Sequence, residues 1–277
     1  NVYWLSIKMI EDKDFYFKIN TTNGRLDTNL TNLKSELRQF IIGEYCHIDT
    51  VNSQPLLVNF IIDYIIYNSN YKLENRIPFP PPSSPIYPSL GTEYEKILSK
   101  ELSGKDLQWL KKFPLNENIL KEFNEYRNAT FNVDFYSHLK KEYEELHGKV
   151  FSRKELKDMI YKVFFSQNFA YRKEKAIFRA KYPTLTKIIY TLKKQRHNKF
   201  ALCLQKIESE IFINRICKRL VEEGIVPLTI HDSVIVLTKD KSKTIKIISE
   251  VGQEIQDQSE TPSKPNDRVA RLPDTEV

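Results

Sequence analysis

The order of apolar and polar positions divides the chain into strands, helices and two stretches that are neither. Phe15 to Ile19 reads as a short strand, and Thr21-Thr22-Asn23-Gly24 as the turn after it, since Asn-Gly is among the strongest short turn signals. A short helical pattern at Ser35 to Phe40 precedes an apolar run, Ile41 to Ile48, that is broken by Gly43 and Glu44 and ends on Asp49. Residues from Thr50 to Leu57 lead into an amphipathic segment with apolar positions at helical spacing. From Asn68 the pattern dissolves, and the Pro-rich run Ile77 to Pro85 is extended and acts as a connector. Helical patterns return at Glu93 to Phe113, Asn118 to Arg127 and from Asn132, with Asp134 placed as a cap. Ser152 and Glu155 form a capping-box pattern that opens a helix running to Ser166. Further helical patterns cover Arg172 to Lys187 and Phe200 to Glu222. Two β-branched and apolar runs, Ile225 to Ile230 and Val234 to Leu237, then flank the polar triplet His231-Asp232-Ser233, which is how a hairpin reads when its turn holds a charge. A final helix spans Ser242 to Ile255, and residues 259–277 have no periodicity and read as a disordered tail. The expected class is α+β, a small antiparallel sheet with many helices.

Composition narrows this picture. A length of 277 residues holds two modest domains, or one domain with a large insertion. The net charge of +7, from 43 basic against 36 acidic residues, favours an anionic partner such as nucleic acid. Three cysteines, odd in number and each inside an apolar run, point to buried free thiols in a reducing, cytoplasmic compartment. Cys46 and His47 are adjacent, but no second Cys/His pair stands at zinc-ligand spacing. No apolar stretch reaches the roughly 18 to 20 residues of a membrane span, and Leu56 to Tyr67 is interrupted by Asn59 and Asp63. Seven glycines leave no phosphate loop or dinucleotide fingerprint. Trp4 and Trp109 read as core or subdomain-contact residues.

Candidate chemistry gathers at a few positions. Asp49 ends a strand just before a helix, which makes it an exposed acid on a rigid mount, and Asp232 in a hairpin turn invites a metal. Arg153, Lys157, Tyr161 and Phe165 recur every four residues, so they share one helix face over about 18 Å. Two cations followed by two rings suit a nucleoside triphosphate: the cations meet phosphates, the rings meet sugar and base. The competing reading is a solvated charged start with an aromatic core stripe, although Met159, Ile160, Val163 and Phe164 on other faces also supply core contacts. Basic residues interleaved with aromatics from Tyr171 to Lys187 suit a nucleic-acid backbone and stacked bases, and equally a solvated face. The denser run from Lys193 to Lys199 carries like charge that favours an anion.

Several of these strings resemble the family A nucleotide polymerases, the DNA polymerase I group and its relatives the single-subunit phage-type RNA polymerases. His231-Asp232-Ser233 within its hairpin resembles motif C. Asn23-Gly24-Arg25-Leu26, continuing to Leu33, is similar to the signature that reads Thr-Gly-Arg-Leu-Ser-Ser and then Asn-Leu-Gln. Asp49 followed by Ser53-Gln54 and a helix resembles motif A, strand then Asp-Tyr-Ser-Gln then helix. The string from Asn132 to Leu139 resembles the Asp-containing entry to the fingers. Arg153, Lys157, Tyr161 and Phe165 resemble the nucleotide-binding helix, with Ser166 in place of the usual glycine. Gln205, followed five residues later by Glu210, resembles the helix before motif C, and Asn198 lies near that helix's asparagine position.

The resemblance implies a right-hand polymerase: palm in residues 1–60 and 201–258, mainly helical fingers in 61–200 with the connector at 77–88, and the thumb largely absent. It implies template-directed extension of a primer, most simply as a DNA-directed DNA polymerase, by two-metal phosphoryl transfer. Two Mg²⁺ ions would be held by Asp49, Asp232 and the backbone carbonyl of Thr50. Arg153, Lys157, Tyr161, Phe165 and Gln54 would bind the dNTP or NTP, and Arg25, Asn198, Gln205 and His231 the primer and template. Three departures are evident: the spacing from Asp49 to Ser53-Gln54 is longer by two, Pro55-Leu56 replace the ribonucleotide-excluding Ile-Glu, and Ser233 stands where the DNA enzymes have a third carboxylate. The product sugar therefore stays open, with an RNA polymerase or primase-like activity as one alternative and a non-catalytic nucleic-acid-binding or assembly module as another. So little chain before Arg25, and a first residue that is Asn, lead to the expectation of a fragment or a compact enzyme that needs a thumb or accessory partner, with poor processivity and no proofreading.

Overall fold

Ser233–Leu237 is a β-branched run, and it forms the central strand of a three-stranded antiparallel sheet, between Tyr45–Asp49 on one side and Leu228–Ile230 on the other. The computed structural model of the chain describes residues 2–38, 40, 43–49, 52–68, 96–131, 134–230 and 232–257. The expected connector at 77–88 and tail at 259–277 lie outside the described residues. The architecture is α+β, mostly helical with small antiparallel sheets. Two compact units divide it: one lies within Asn1–Val51 and Gln205–Val277, the other within Asn52–Ile77 and Pro81–Leu204.

In the first unit, Tyr45–Asp49 (β3) and Ser233–Leu237 (β5) pair with Cys46 opposite Val236 and Ile48 opposite Val234. Residues two apart share a face of a strand, so Ile48, Val234 and Val236 point one way. They are buried with Phe212, Ile216, Leu220, Ile247 and Val251, which come from the helices behind the sheet. The opposite face of β3 carries Tyr45, His47 and Asp49, all exposed. Helices thus back one side of the sheet and leave these three β3 residues exposed on the other. The hairpin partner of β5 is Leu228–Ile230 (β4).

The long helical pattern before that hairpin is present, but its middle is wound differently. Lys199–Ser209 is α-helical, Glu210–Cys217 is a π-helix, and Lys218–Glu222 returns to α. A π-turn brings residues five apart together, and Glu210 meets Arg215 at 4.0 Å, while Asn214 donates to Glu210 at 2.5 Å. Earlier in the unit, Phe17–Ile19 (β1) and Leu26–Thr28 (β2) pair around the Thr21–Gly24 turn, in which Gly24 adopts a φ of +77°. A helix at Val2–Glu11 was not anticipated by the residue pattern, and Trp4 on it is 63% exposed, which corrects its reading as a core residue.

The second unit is helical, with an aromatic interior packed edge to face. Tyr126 meets Phe135 at 5.4 Å and Tyr182 at 5.1 Å, and Phe164 meets Phe200 at 5.5 Å. Two expected single helices are split for local reasons. Ser103 caps Gly104–Lys111 in a capping box with Asp106, which separates it from the helical residues 96–101. Pro183 lacks a backbone N–H and starts a new helix, Pro183–Leu192, after Arg172–Lys181. The buried Lys199 ammonium donates to Asp106 at 2.6 Å. All three cysteines are free thiols, Cys203 and Cys217 buried, and burial pushes Cys217 up to about 12. No helix among the described residues is long and apolar enough to cross a membrane.

Candidate functional site

The open face of the sheet in the first unit holds the acidic half of the candidate site. Asp49 is the last residue of β3 and pairs across the ladder with Ser233, the first residue of β5. Asp232 directly precedes Ser233 in the chain. Neighbouring strands lie about 4.8 Å apart, so the two aspartates start one residue step from one another across adjacent strand ends. Asp49 is exposed and Asp232 half-buried. The ladder therefore places the two aspartate positions singled out in the sequence at neighbouring strand ends. Thr50 and His231, the neighbours assigned to metal and primer, lie outside the described residues.

His47 was not assigned a role from the sequence, yet it reaches this place. It shares the Asp49 face, two residues back along β3, and its Nε2 lies 2.6 Å from Ser233 Oγ. Ser233 Oγ donates to the Ile230 carbonyl at 2.7 Å. With its hydrogen given to Ile230, the hydroxyl accepts from His47, which fixes the imidazole hydrogen on Nε2. Ser233 is thus buried and engaged at both its donor and acceptor sides.

A second group in the same unit surrounds Arg25. Its Nε donates to Glu208 Oε1 at 2.8 Å and its Nη2 to the same oxygen at 2.7 Å. Ser209 Oγ donates to the carbonyls of Asn23 at 3.2 Å and Gln205 at 2.9 Å. A Cβ on Gly24 would lie 3.1 Å from the Ser209 Cβ, so the turn is pressed against the helix. Gln205, Glu208 and Ser209 lie at helical spacings of three and four and form the face that receives this turn. Arg25 and Gln205, assigned separately to primer and template, therefore belong to one locality. Glu208 was missed: in the sequence it stands only as one acid in a long helix.

In the second unit, Arg153–Phe165 turns Leu156, Met159, Ile160, Val163 and Phe164 into the interior. The stripe of Arg153, Lys157, Tyr161 and Phe165 is left outside: Arg153 and Lys157 are exposed, Tyr161 is 39% exposed and Phe165 is half-buried. The reading of the two rings as core residues does not hold. Lys157 Nζ sits 5.9 Å from the Tyr161 ring, and the Tyr161 and Phe165 rings are 5.4 Å apart at 30°. Arg153 lies over the Tyr136 ring at 5.1 Å and meets both oxygens of Asp134 at 3.4 Å. Asp134 occupies the cap position of Phe135–His147 without making a side-chain cap bond, and accepts from Ser137 at 2.7 Å instead. Burial raises its carboxyl, but the hydrogen bonds from Ser137 and Arg153 outweigh this and hold it below the ordinary value.

The remaining assigned residues are placed as follows. Gln54 is buried in the first turn of Ser53–Asn68. Asn198 precedes Lys199–Ser209, and its Oδ1 is buried without a hydrogen-bond partner among the described residues. The dense basic run offers less free charge than its sequence suggests. Lys193 is buried and donates to the Val163 carbonyl at 2.8 Å, Lys199 is buried on Asp106, and Arg196 pairs with Glu101 at 2.8 Å. Burial, with Lys175 close by, pulls Lys193 down to about 7.

Among the described residues no group of three or more His, Cys, Asp and Glu side chains forms a ready metal cage. What the first unit offers instead is a pair of carboxylates with hard oxygen donors, of the kind that suits magnesium bound together with substrate phosphates. No family model, no curated protein and no solved structure matches the chain.

Proposed function

We propose that this chain is a template-directed nucleotidyltransferase with the palm and fingers of a family A-like polymerase. The observation that carries the reading is the β3–β5 register, which pairs Asp49 with Ser233 and so puts the positions of Asp49 and Asp232 at neighbouring strand ends of a helix-backed sheet. Asp49 and Asp232 would hold magnesium through their carboxylate oxygens. What a bound metal pair supplies is activation of a primer 3′-hydroxyl and neutralisation of charge on the phosphates. The chain's own residues do the rest. Arg153 and Lys157, exposed on the second unit, offer positive charge of the kind that stabilises triphosphate oxygens. The exposed Tyr161 ring, beside Phe165, offers a stacking surface to sugar or base. Arg25 and Gln205 meet the primer–template in the first unit.

The test is single-nucleotide addition to a primed template with Mg²⁺ at low salt and high template concentration, where a weak grip on the template is not limiting. Deoxyribonucleotides and ribonucleotides are offered separately. Incorporation from one pool is expected, lost in Asp49→Asn and in Asp232→Asn while template binding persists in both. Incorporation from neither pool overturns the enzyme, and binding that survives without any incorporation identifies a non-catalytic module.

A further inference from the structure

Glu208 is a deeply buried carboxylate of the first unit bonded to a cation: it is 0% exposed, and its Oε1 accepts from both Nε and Nη2 of Arg25. A charge so far from water is stable only when it is paired. The pairing works in both directions. Arg25 keeps 20% of its side chain exposed, but its charge is cancelled at close range by Glu208. Its guanidinium has five N–H donors. Two are given to Glu208 Oε1, and the other three have no partner among the described residues.

The backbone that carries the arm is fixed, so Glu208 alone holds the guanidinium in its present direction. Arg25 N donates to Asn23 Oδ1 at 3.0 Å and its carbonyl accepts from Asn20 at 2.8 Å. Gly24 is pressed on Ser209 in a left-handed conformation. Gln205, an uncharged donor and acceptor, lies on the helix face three residues before Glu208. The result is a partly exposed set of hydrogen-bond donors whose charge is offset by Glu208.

We infer that Glu208 is a positioning residue that directs Arg25 to uncharged acceptors of nucleic acid, base edges or sugar oxygens, in place of phosphates. A free arginine gains most from a phosphate and releases a counterion when it binds one. A neutralised guanidinium keeps its directional hydrogen bonds and loses that long-range attraction. The inference rests on the reading that this unit binds a primer–template.

The experiment measures binding of a primed duplex with a single-stranded overhang by fluorescence anisotropy between 50 and 200 mM KCl, without nucleotide or Mg²⁺. In Glu208→Gln the uncancelled arginine turns to phosphate, and across that range affinity should fall about three- to fourfold more than in wild type, one added phosphate contact. In the double variant Arg25→Gln/Glu208→Gln, binding should weaken by a similar factor at every salt concentration, with the wild-type slope. An unchanged slope in folded Glu208→Gln, a shallower slope in the double variant, or a double variant that binds as wild type would each overturn the inference. Should Glu208→Gln fail to fold, as judged by circular dichroism, the double variant decides. Wild type that binds no nucleic acid at low salt overturns the proposed function itself, whereas a wrong slope in a protein that binds and extends primers overturns only the role of Glu208.

Discussion

His47 Nε2 and Ser233 Oγ, 186 positions apart in sequence, meet at 2.6 Å on the open face of the sheet, beside the aspartates at its end. Their bond continues to the Ile230 carbonyl, so it ties β3 to the hairpin on the side that the apolar core does not reach.

Removing this tie should be felt first in stability. His47→Ala leaves the buried Ser233 oxygen without its donor, at a cost of about 1 kcal/mol. His47→Gln, whose amide can donate, should recover part of it. Thermal melts of the three proteins check the order. Equal melting of the alanine and glutamine variants would contradict it.

The helix Arg153–Phe165 allows a sharper comparison between neighbours. Phe164 is 0% exposed, and Phe164→Ala should cost about 3 to 5 kcal/mol of stability. Tyr161→Ala, on the outer stripe, should leave stability within about 1 kcal/mol and weaken nucleotide binding instead. Denaturant titration read beside nucleotide affinity separates the two effects.

Asp134 holds Arg153 where a phosphate would have to compete for it. Its two oxygens both lie 3.4 Å from the guanidinium, and exposed pairs of this kind contribute up to about 1 kcal/mol. Asp134→Asn should therefore tighten triphosphate binding by up to about fivefold. Calorimetric titration with a non-hydrolysable triphosphate measures this, and weaker binding in the variant would show that Asp134 orients Arg153 instead of occupying it.

Lys193 makes stability depend on pH with a definite sign. Burial lowers it to about 7 from an ordinary lysine value of 10.5. Between those limits the unfolded chain holds the proton and the folded chain does not, so stability rises as pH climbs from about 7 towards 10.5. Below that window both states are protonated and the penalty is constant. Lys193→Met removes the buried ammonium, and should stabilise the protein at pH 7 by on the order of 2 kcal/mol and flatten the rise. Urea midpoints at pH 7 and pH 9 read both effects.

Much of the fold is written in short-range patterns. Ser152 and Glu155 announce the start of their helix because a capping box is complete within four residues. The hairpin around Asp232 is legible because β-branched runs stand on both sides of a polar triplet. What the sequence hides is long-range or against the grain. Nothing near Glu208 tells that its partner is Arg25, and nothing near His47 points to Ser233. The first helix carries exposed Trp4 and Leu5, so no inward-facing stripe marks it. The π-turn from Glu210 to Cys217 keeps enough apolar residues at helical intervals to pass for ordinary α-helix. Tyr161 and Phe165 mislead in the other direction: large rings at steps of four suggest a core, and only the burial of their neighbours Ile160 and Phe164 shows which stripe is inside.

The pairing of β3 with β5 also sets a clock. Asp49 and Asp232 lie on either side of the whole second unit in the order of synthesis. At about 5 to 20 residues per second, roughly ten to forty seconds separate their emergence from the ribosome. Throughout that interval Asp49 has no β5 to stand against, while the helical unit between them already has the residues of its own aromatic core. A nascent chain interrupted before Asp232 would contain Asp49 and the whole outer stripe of Arg153–Phe165, and would still lack the acidic pair. The register thus doubles as a check on synthesis, since the two aspartate positions become neighbours only in a polypeptide that has been translated through β5.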